Sequence, residues 1–374
     1  MKKSLVGLSL LLASSLLLLP PALAQRVPTV TLAGMVLDAE SGEPLPGANV
    51  FIAGSLVGTS TGLDGSYRLT GIPAGAMRLY VSMIGYEPDF RDMLLRTEAV
   101  RTIIFELKPS VYELEGIAVE AKEDKRWQRR LERFQDLFIG QTPNAQETEI
   151  TNATILDFEG SGGNLRALAP EPLVIKNKGL GYQVTYFLKD FSADPRRTKY
   201  DGEPLFEELT PSSPEEAATW AANRRTAFVG SFRHFLLALI AGQTEEQGFK
   251  TYGRTNMGSS APGEMGGGPT AGTRFPIDAA SVFKAGAGPN EYTLDFEGFV
   301  EITFTGEIED ESYIDWSREP RRRPRYQTSW MRLEKGPTTF DWKGDVLDPY
   351  GVTFYGYFAF ERVADEVPRE YRPS

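Results

Sequence analysis

The sequence predicts a mainly β, α+β protein in which a seven-stranded β-sandwich is followed by a larger α+β domain. Three observations predict it. From Thr29 to Leu107, short β-rich runs alternate with Gly, Pro and Asp turns. From Ile150 onward, strand-like runs share the chain with a capped helical pattern. The 374 residues also suit two cores, at roughly 100–200 residues per domain.

The first 24 residues have a separate logic. Met1-Lys2-Lys3, an apolar run from Leu5 to Leu19, Pro20-Pro21 and the small-residue triplet Ala22-Leu23-Ala24 precede Gln25. A basic start, an apolar stretch and an Ala-x-Ala-like end predict a secretory signal peptide over 1–24. Elsewhere no segment approaches the ~18 apolar residues of a membrane helix, and Phe232–Ala241 is far too short. The sequence thus predicts an exported chain, in the periplasm or on the outer cell surface, with no integral membrane segment after cleavage. With no cysteine, neither a lipid anchor on an N-terminal Cys nor a disulfide is available. Cleavage would leave 350 of the 374 residues, and loss of Lys2 and Lys3 would leave 38 basic against 51 acidic residues, a formal charge of −13. That charge argues against nucleic acid or anionic membrane as partners.

The sandwich is placed at 25–110. Its seven runs are Val30–Leu37, Ala48–Ile52, Leu56–Thr59, Ser66–Thr70, Ala76–Met83, Arg91–Leu95 and Arg101–Leu107, with Leu79, Val81 and Met83 on one face. Asp64-Gly65, Ser41-Gly42-Glu43-Pro44 and Pro73-Ala74-Gly75 supply the turns. Residues 111–149 form a linker and an amphipathic helix, Lys122–Ile139, with Trp127, Leu131, Phe134, Leu137 and Phe138 at helical spacing and Gly140 as its stop.

The α+β domain is placed at 150–374. Its strand-like runs include Thr154–Phe158, Leu173–Lys176, Tyr182–Leu188 and Tyr292–Gly306. Ser213-Pro214-Glu215-Glu216 opens a helix with a capping Ser, Pro at the first position and acids in the first turn. Phe228, Phe232, Phe235, Leu236 and Leu239 continue its apolar stripe to Gly242, and Gly230-Ser231 is the place where it kinks or divides. Asn256–Gly272, rich in Gly, Ser, Pro and Met, has no periodicity and predicts a flexible loop over 255–274.

Four stretches carry a resemblance: Gly34-Met35-Val36-Leu37-Asp38; Gly42 through Val50, reading GEPLPGANV; Gly58 through Tyr67, reading GTSTGLDGSY; and Ile84-Gly85-Tyr86-Glu87. They resemble the carboxypeptidase-like regulatory domain. The resemblance implies a transthyretin-like, Ig-like sandwich, commonly attached to outer-membrane transporters, peptidases and surface proteins of Bacteroidota-type bacteria, which accompanies an activity without supplying it. Pro172-Leu173-Val174-Ile175, Leu180-Gly181-Tyr182, Gly230 through Leu236 and Ala364 through Tyr371 extend the likeness to exported proteins carrying the same domain. That wider resemblance covers nearly the whole mature chain; it implies no activity and carries over no catalytic residue.

No catalytic, cofactor-binding or metal-ligating residue is predicted. A zinc carboxypeptidase needs two imidazoles and a carboxylate around its metal, and His234 is the sole histidine. A Ser-His-Asp reading of His234 lacks the Gly-x-Ser-x-Gly elbow, so a place on a helix face is favoured. The acids Glu307, Glu309, Asp310 and Glu311, with Asp315 beyond, lack the Gly-containing alternation of a calcium loop and predict a solvated hairpin end. Arg321-Arg322-Arg323-Pro324-Arg325 follows closely enough to neutralise them. Asp64-Gly65 and Tyr67 fit a hairpin without a ligand. Trp342, Tyr350, Phe354, Tyr355, Tyr357, Phe358 and Phe360 read as strand core before a sugar platform.

Export without a catalytic constellation predicts a non-enzymatic envelope protein that binds a partner protein or glycan through the sandwich and the C-terminal domain. Two alternatives stand beside it: a carbohydrate-binding module, on fold analogy, and a hydrolase of unrecognised type in the C-terminal domain. A row of exposed aromatics would mark the glycan binder, a polar cleft with perturbed carboxylates the enzyme, and a broad apolar patch the partner binder.

Overall fold

The computed structural model describes residues 29–95, 99–110, 125–254, 274–288, 290–317 and 323–373. The signal-peptide stretch, all but the last residue of the 255–274 loop, and residues 122–124 of the expected helix lie outside them.

Between Thr29 and Leu107 the alternating pattern becomes seven strands: β1 (Thr29–Asp38), β2 (Asn49–Ile52), β3 (Gly58–Ser60), β4 (Ser66–Pro73), β5 (Gly75–Ser82), β6 (Asp89–Leu95) and β7 (Ala99–Leu107). They form two sheets, in the orders β4-β1-β7 and β3-β2-β5-β6. β1 runs antiparallel to β4 and parallel to β7. Leu32, Val36, Val50, Leu79, Val81 and Phe105 meet between the sheets with no exposed surface, and Met83 packs half-buried on the same core. Buried hydroxyls are satisfied locally. Thr61 Oγ1 accepts the Ala48 N–H at 2.9 Å and donates to the Leu45 carbonyl, while Tyr67 Oη donates to the Ile103 carbonyl at 2.9 Å.

Next come α1 (Lys125–Phe138), α2 (Pro143–Gln146) and β8 (Thr148–Ile150), then β9 (Asp157–Glu159), β10 (Leu165–Leu168), β11 (Leu173–Asn177), β12 (Tyr182–Ala193) and β13 (Thr198–Glu208). These strands make a six-stranded sheet in the order β8-β11-β12-β10-β9, with β13 also paired to β12. α1 lays its apolar stripe on this sheet: the Phe134 ring meets Phe191 at 4.6 Å and the Phe138 ring meets Tyr186 at 5.0 Å. The expected strand Thr154–Phe158 is corrected. Ala153–Ile155 is a 3₁₀ turn and only Asp157–Glu159 pairs, because Asn152 bonds Pro172 and Val174 and curls the chain there.

Ser213 caps α3 (Pro214–Phe228) by accepting the Glu216 N–H at 3.2 Å, and Ser231 caps α4 (Phe232–Ala241) through the His234 N–H at 3.2 Å. The Gly230-Ser231 position therefore divides the pattern into two helices. At φ 65°, Gly242 closes α4 in the left-handed conformation that glycine adopts freely.

The remainder holds β14 (Phe249–Arg254), β15 (Arg274–Pro276), β16 (Phe283–Ala285), β17 (Glu291–Leu294), β18 (Phe299–Ile308), α5 (Glu311–Ser317), β19 (Tyr326–Leu333), β20 (Thr338–Asp341), β21 (Val352–Gly356) and α6 (Tyr357–Phe360). The sheet β15-β14-β18-β19-β21 packs on α4 through Phe235, Phe249, Ile302 and Met331, and β16-β17-β20 forms a smaller sheet. Tyr292–Gly306, expected as one run, is two strands in different sheets. The chain turns at Asp295, whose N–H bonds the Val282 carbonyl at 2.9 Å.

The sandwich is clamped to the rest of the chain. Tyr80 points away from the sandwich core yet is buried, because Phe51, Tyr80 and Phe187 of β12 stack with centroids 5.0–5.2 Å apart. Gly54 and Ser55 exchange backbone bonds with β13 at 2.7 and 3.0 Å. Glu203, itself buried, pairs with Arg78 at 2.6 Å and with Lys189. Lys343 Nζ donates to the Ala76 carbonyl at 3.0 Å, and the Trp342 indole lies where a Cβ on Gly75 would be, 2.4 Å away. Only glycine admits that approach.

Candidate functional site

A cleft of about 690 Å³ opens between the β12–β13 hairpin and the β21–α6 segment. Its first wall follows from an irregularity in β12. Pairing with β13 shifts between Leu188 and Asp190, and such a bulge reverses the alternation of side chains. Tyr186 and Phe191 consequently reach the same core despite odd spacing, while Asp190 and Ser192 turn toward the cleft. Tyr200 and Asp201 of β13 join them, and Lys199 stands at its edge.

The second wall carries Tyr350, Phe354, Glu361 and Glu366. Two contacts span the walls: Tyr350 Oη donates to Asp190 Oδ2 at 3.0 Å, and Arg197 lies 3.8 Å from Glu334. Burial, and then the Asp190 hydrogen bond, pushes the Tyr350 phenol up.

Carboxyls at the floor are displaced upward from the usual range. Burial raises Glu361 well above it, and Asp365 and Glu307 add repulsion. Glu366 is pushed up to about 7 by burial, then by Asp365 and Asp345, against the pull of Arg369. Behind the floor, burial lifts Asp365 to about 6 although Asn144 and Thr142 donate to it at 2.9 and 3.0 Å. Asp201 is raised by burial, with Lys189 opposing. A half-enclosed space with aromatic rings, hydrogen-bonding heads and acids whose pKa values burial raises can hold a polar ligand and, chemically, can pass a proton.

The residues weighed from sequence fall mostly elsewhere. His234 sits at the α3–α4 junction, where Nδ1 accepts the Gly230 N–H at 3.0 Å and Nε2 meets Gln247 Oε1 at 2.9 Å. Burial lowers its pKa. Asp64 accepts both groups of Ser66 in its turn, and Tyr67 is buried. The acidic run is no solvated hairpin end throughout: Glu309 is buried, with its carboxylate accepting the Arg325 N–H at 2.8 Å, and Asp310 caps Ser312 at 2.8 Å. Arg321 and Arg322 lie outside the described residues. Tyr355, Tyr357, Phe358 and Phe360 of the aromatic cluster are core, Phe358 also bordering the cleft, whereas Tyr350 and Phe354 are half-buried and line it. Sequence reasoning missed Asp190, Tyr200, Asp201, Glu361 and Glu366; only Glu366 fell within a stretch already singled out, Ala364–Tyr371. Among the described residues, no group of three or more His, Asp or Glu side chains is gathered to hold a metal ion.

Two sheets with β1 parallel to β7, carrying the GEPLPGANV and GLDGSY turns, match a known family over residues 32–119. Those residues are a CarboxypepD_reg-like domain. The chain is 28% identical over 157 residues to the TonB-dependent receptor SusC of Bacteroides thetaiotaomicron, a stretch covering 41% of this chain and 15% of the receptor. It thus spans about a seventh of that relative's length. Among solved structures, similarity extends to a putative carbohydrate binding protein from Bacteroides uniformis (11% identity, 43% of this chain and 61% of that one, TM-score 0.19). It extends also to a DUF3823 family protein from Parabacteroides merdae (14%, 49% and 81%, TM-score 0.17) and to catechol 1,2-dioxygenase from Acinetobacter (15%, 24% and 55%, TM-score 0.20). Scores this low carry no argument about what the chain does. Among the described residues, no helix is long and apolar enough to cross a membrane.

Proposed function

We propose that this chain is a non-enzymatic binding protein of the bacterial cell envelope that holds a saccharide in the cleft between β12–β13 and β21–α6. The observation that carries the reading is the lining of that cleft. Tyr200, Tyr350 and Phe354 are half-buried there and offer ring faces, while Asp190, Asp201 and Lys199 offer acceptors and donors beside them. Sugars present that same division, an apolar ring face edged by hydroxyls. The envelope part is supported by the export pattern of residues 1–24 and by the likeness to a receptor named TonB-dependent. Docking of a partner protein on the outer face of β2 and β5 receives less support, since Phe187 already occupies it.

The test is isothermal titration of residues Gln25–Ser374 against a glycan panel. A saccharide should bind saturably, and Tyr350→Ala should weaken it about 10-fold or more, which is roughly 1.4 kcal/mol. Absence of binding by folded protein overturns the reading. Hydrolysis is a second reading, favoured by the raised Glu361 and Glu366, since a general acid works best near neutral pKa. Shortened saccharides recovered after incubation would establish it in place of simple binding.

A further inference from the structure

The floor of the cleft is built differently from its walls. Glu361 follows α6 and Glu366 follows the 3₁₀ turn Val363–Asp365, and both residues line the cleft. Among the described residues neither carboxyl has a hydrogen-bond or ion-pair partner. The charged groups acting on them are chiefly of their own sign: Asp365 and Glu307 on Glu361, Asp365 and Asp345 on Glu366. Arg369 opposes at Glu366 but is already engaged with Asp345 at 3.0 Å. Of the cations along the walls, Arg197 pairs with Glu334 at 3.8 Å, Arg362 lies 5.9 Å from the Tyr200 ring centre, and Lys199 lies 5.9 Å from that of Tyr350. Lys335 lines the cleft beside Glu334 and has its ion pair with Asp348, at 3.9 Å.

Resting on the saccharide reading above, we propose that the ligand carries a protonated amine, an amino sugar whose ammonium is seated on Glu366 in the cleft that Tyr200 and Tyr350 also line. A carboxylate partly withdrawn from water, with other acids beside it and its nearest arginine engaged elsewhere, is unfavourable, so Glu366 holds its proton in the free protein at pH values below about 7. An entering ammonium supplies the missing charge, and the aromatic faces add attraction for the cation. A neutral sugar supplies neither. Binding of the amine therefore ionises the floor and releases a proton, because the acid pKa falls on complex formation.

The experiment compares a glucosamine trisaccharide with its N-acetylated counterpart at pH 6, where the sugar amine and Glu366 both carry their protons, titrated into residues Gln25–Ser374 in two buffers of different ionisation enthalpy. The amine form should bind about 10-fold tighter or more and release up to one proton, and Glu366→Gln should erase both the preference and the release. Equal or weaker binding of the amine form, or binding without proton release, overturns the proposal. Should the N-acetylated sugar bind while the amine does not, the amine seat falls and the saccharide cleft stands. Should neither bind to protein shown folded by its melting transition, both fall together.

Discussion

In the sandwich, Thr61 and Tyr67 are buried with their hydroxyls bonded to nearby backbone; around the cleft, Glu361 and Glu366 stand near other acids and, among the described residues, make no hydrogen bond or ion pair through their carboxyls. The sandwich interior thus combines an apolar core with buried hydroxyls that are satisfied locally. The second unit keeps acids with raised pKa values at a concave surface, and ionising them there costs stability unless something else compensates. On the reading proposed above, the ligand sits away from the domain whose resemblance is clearest.

That contrast can be broken by removing packing from the second unit. Phe138 has no exposed surface and stacks with Phe134 at 4.9 Å. Phe138→Ala should cost about 3–5 kcal/mol in denaturant unfolding. A smaller cost would mean that the sheet beneath the cleft is loosely packed and that the cleft is no fixed site.

The joint comes next in size. Glu203 is buried and neutralises both Arg78 and Lys189, whose side chains are about a quarter exposed. Glu203→Gln would leave Lys189 without its carboxylate and Arg78 with Asp92 alone, at 2.7 Å, at a cost of roughly 1–2 kcal/mol once their partial exposure is allowed for. Calorimetry should show the single transition of the parent protein split in two, the sandwich melting apart from the rest. One unbroken transition in the variant would show that the Phe51–Tyr80–Phe187 stack holds the joint alone.

How much of this was legible in sequence depends on distance along the chain. Strands β1 to β7 were readable because their turns are local: Asp64-Gly65 fixes its bend with Ser66 two residues away. The Ser213 and Ser231 caps were readable for the same reason. Tyr80 and Phe187, 107 positions apart by number, meet only through tertiary packing, so the burial of both faces of β5 had no signal. The cleft was hidden twice over. Its Asp190 reaches Tyr350 across 160 positions, and its acids are five among 51. The bulge that aims Asp190 leaves no mark in composition either, because a reversal of alternation is visible only once the partner strand is known.

Glu366 gives the third effect, and its sign is opposite to that of most acids. Its folded pKa, about 7, stands above the ordinary 4.5, so the folded state binds the extra proton. Its stabilising contribution is full below about 4.5 and is lost as pH rises through about 7. Glu366→Gln should therefore stabilise the protein at pH 8 relative to pH 4, on the order of 1 kcal/mol after allowance for water reaching it through the cleft. A variant whose melting temperature stays parallel to the parent's across this window would show that water or a counter-ion already satisfies the floor.

The smallest effect belongs to the sandwich and runs the other way. Asp38 is held down to about 2 from 3.8, first by the backbone of Ser41, then by Tyr86 Oη at 2.8 Å and the backbone of Glu40. A depressed acid contributes stability that is present above pH 3.8 and disappears as pH falls through about 2. Asp38→Asn should lower the melting temperature slightly at pH 7 and leave it unchanged near pH 2, since the carboxylate is solvent-exposed and its interactions are screened. Measured together, the two variants give slopes of opposite sign, Glu366→Gln gaining on the parent toward high pH and Asp38→Asn gaining on it toward low pH. Slopes of the same sign would mean that the acids of the cleft are satisfied as fully as those of the sandwich, and the physical ground for placing a ligand there would be lost.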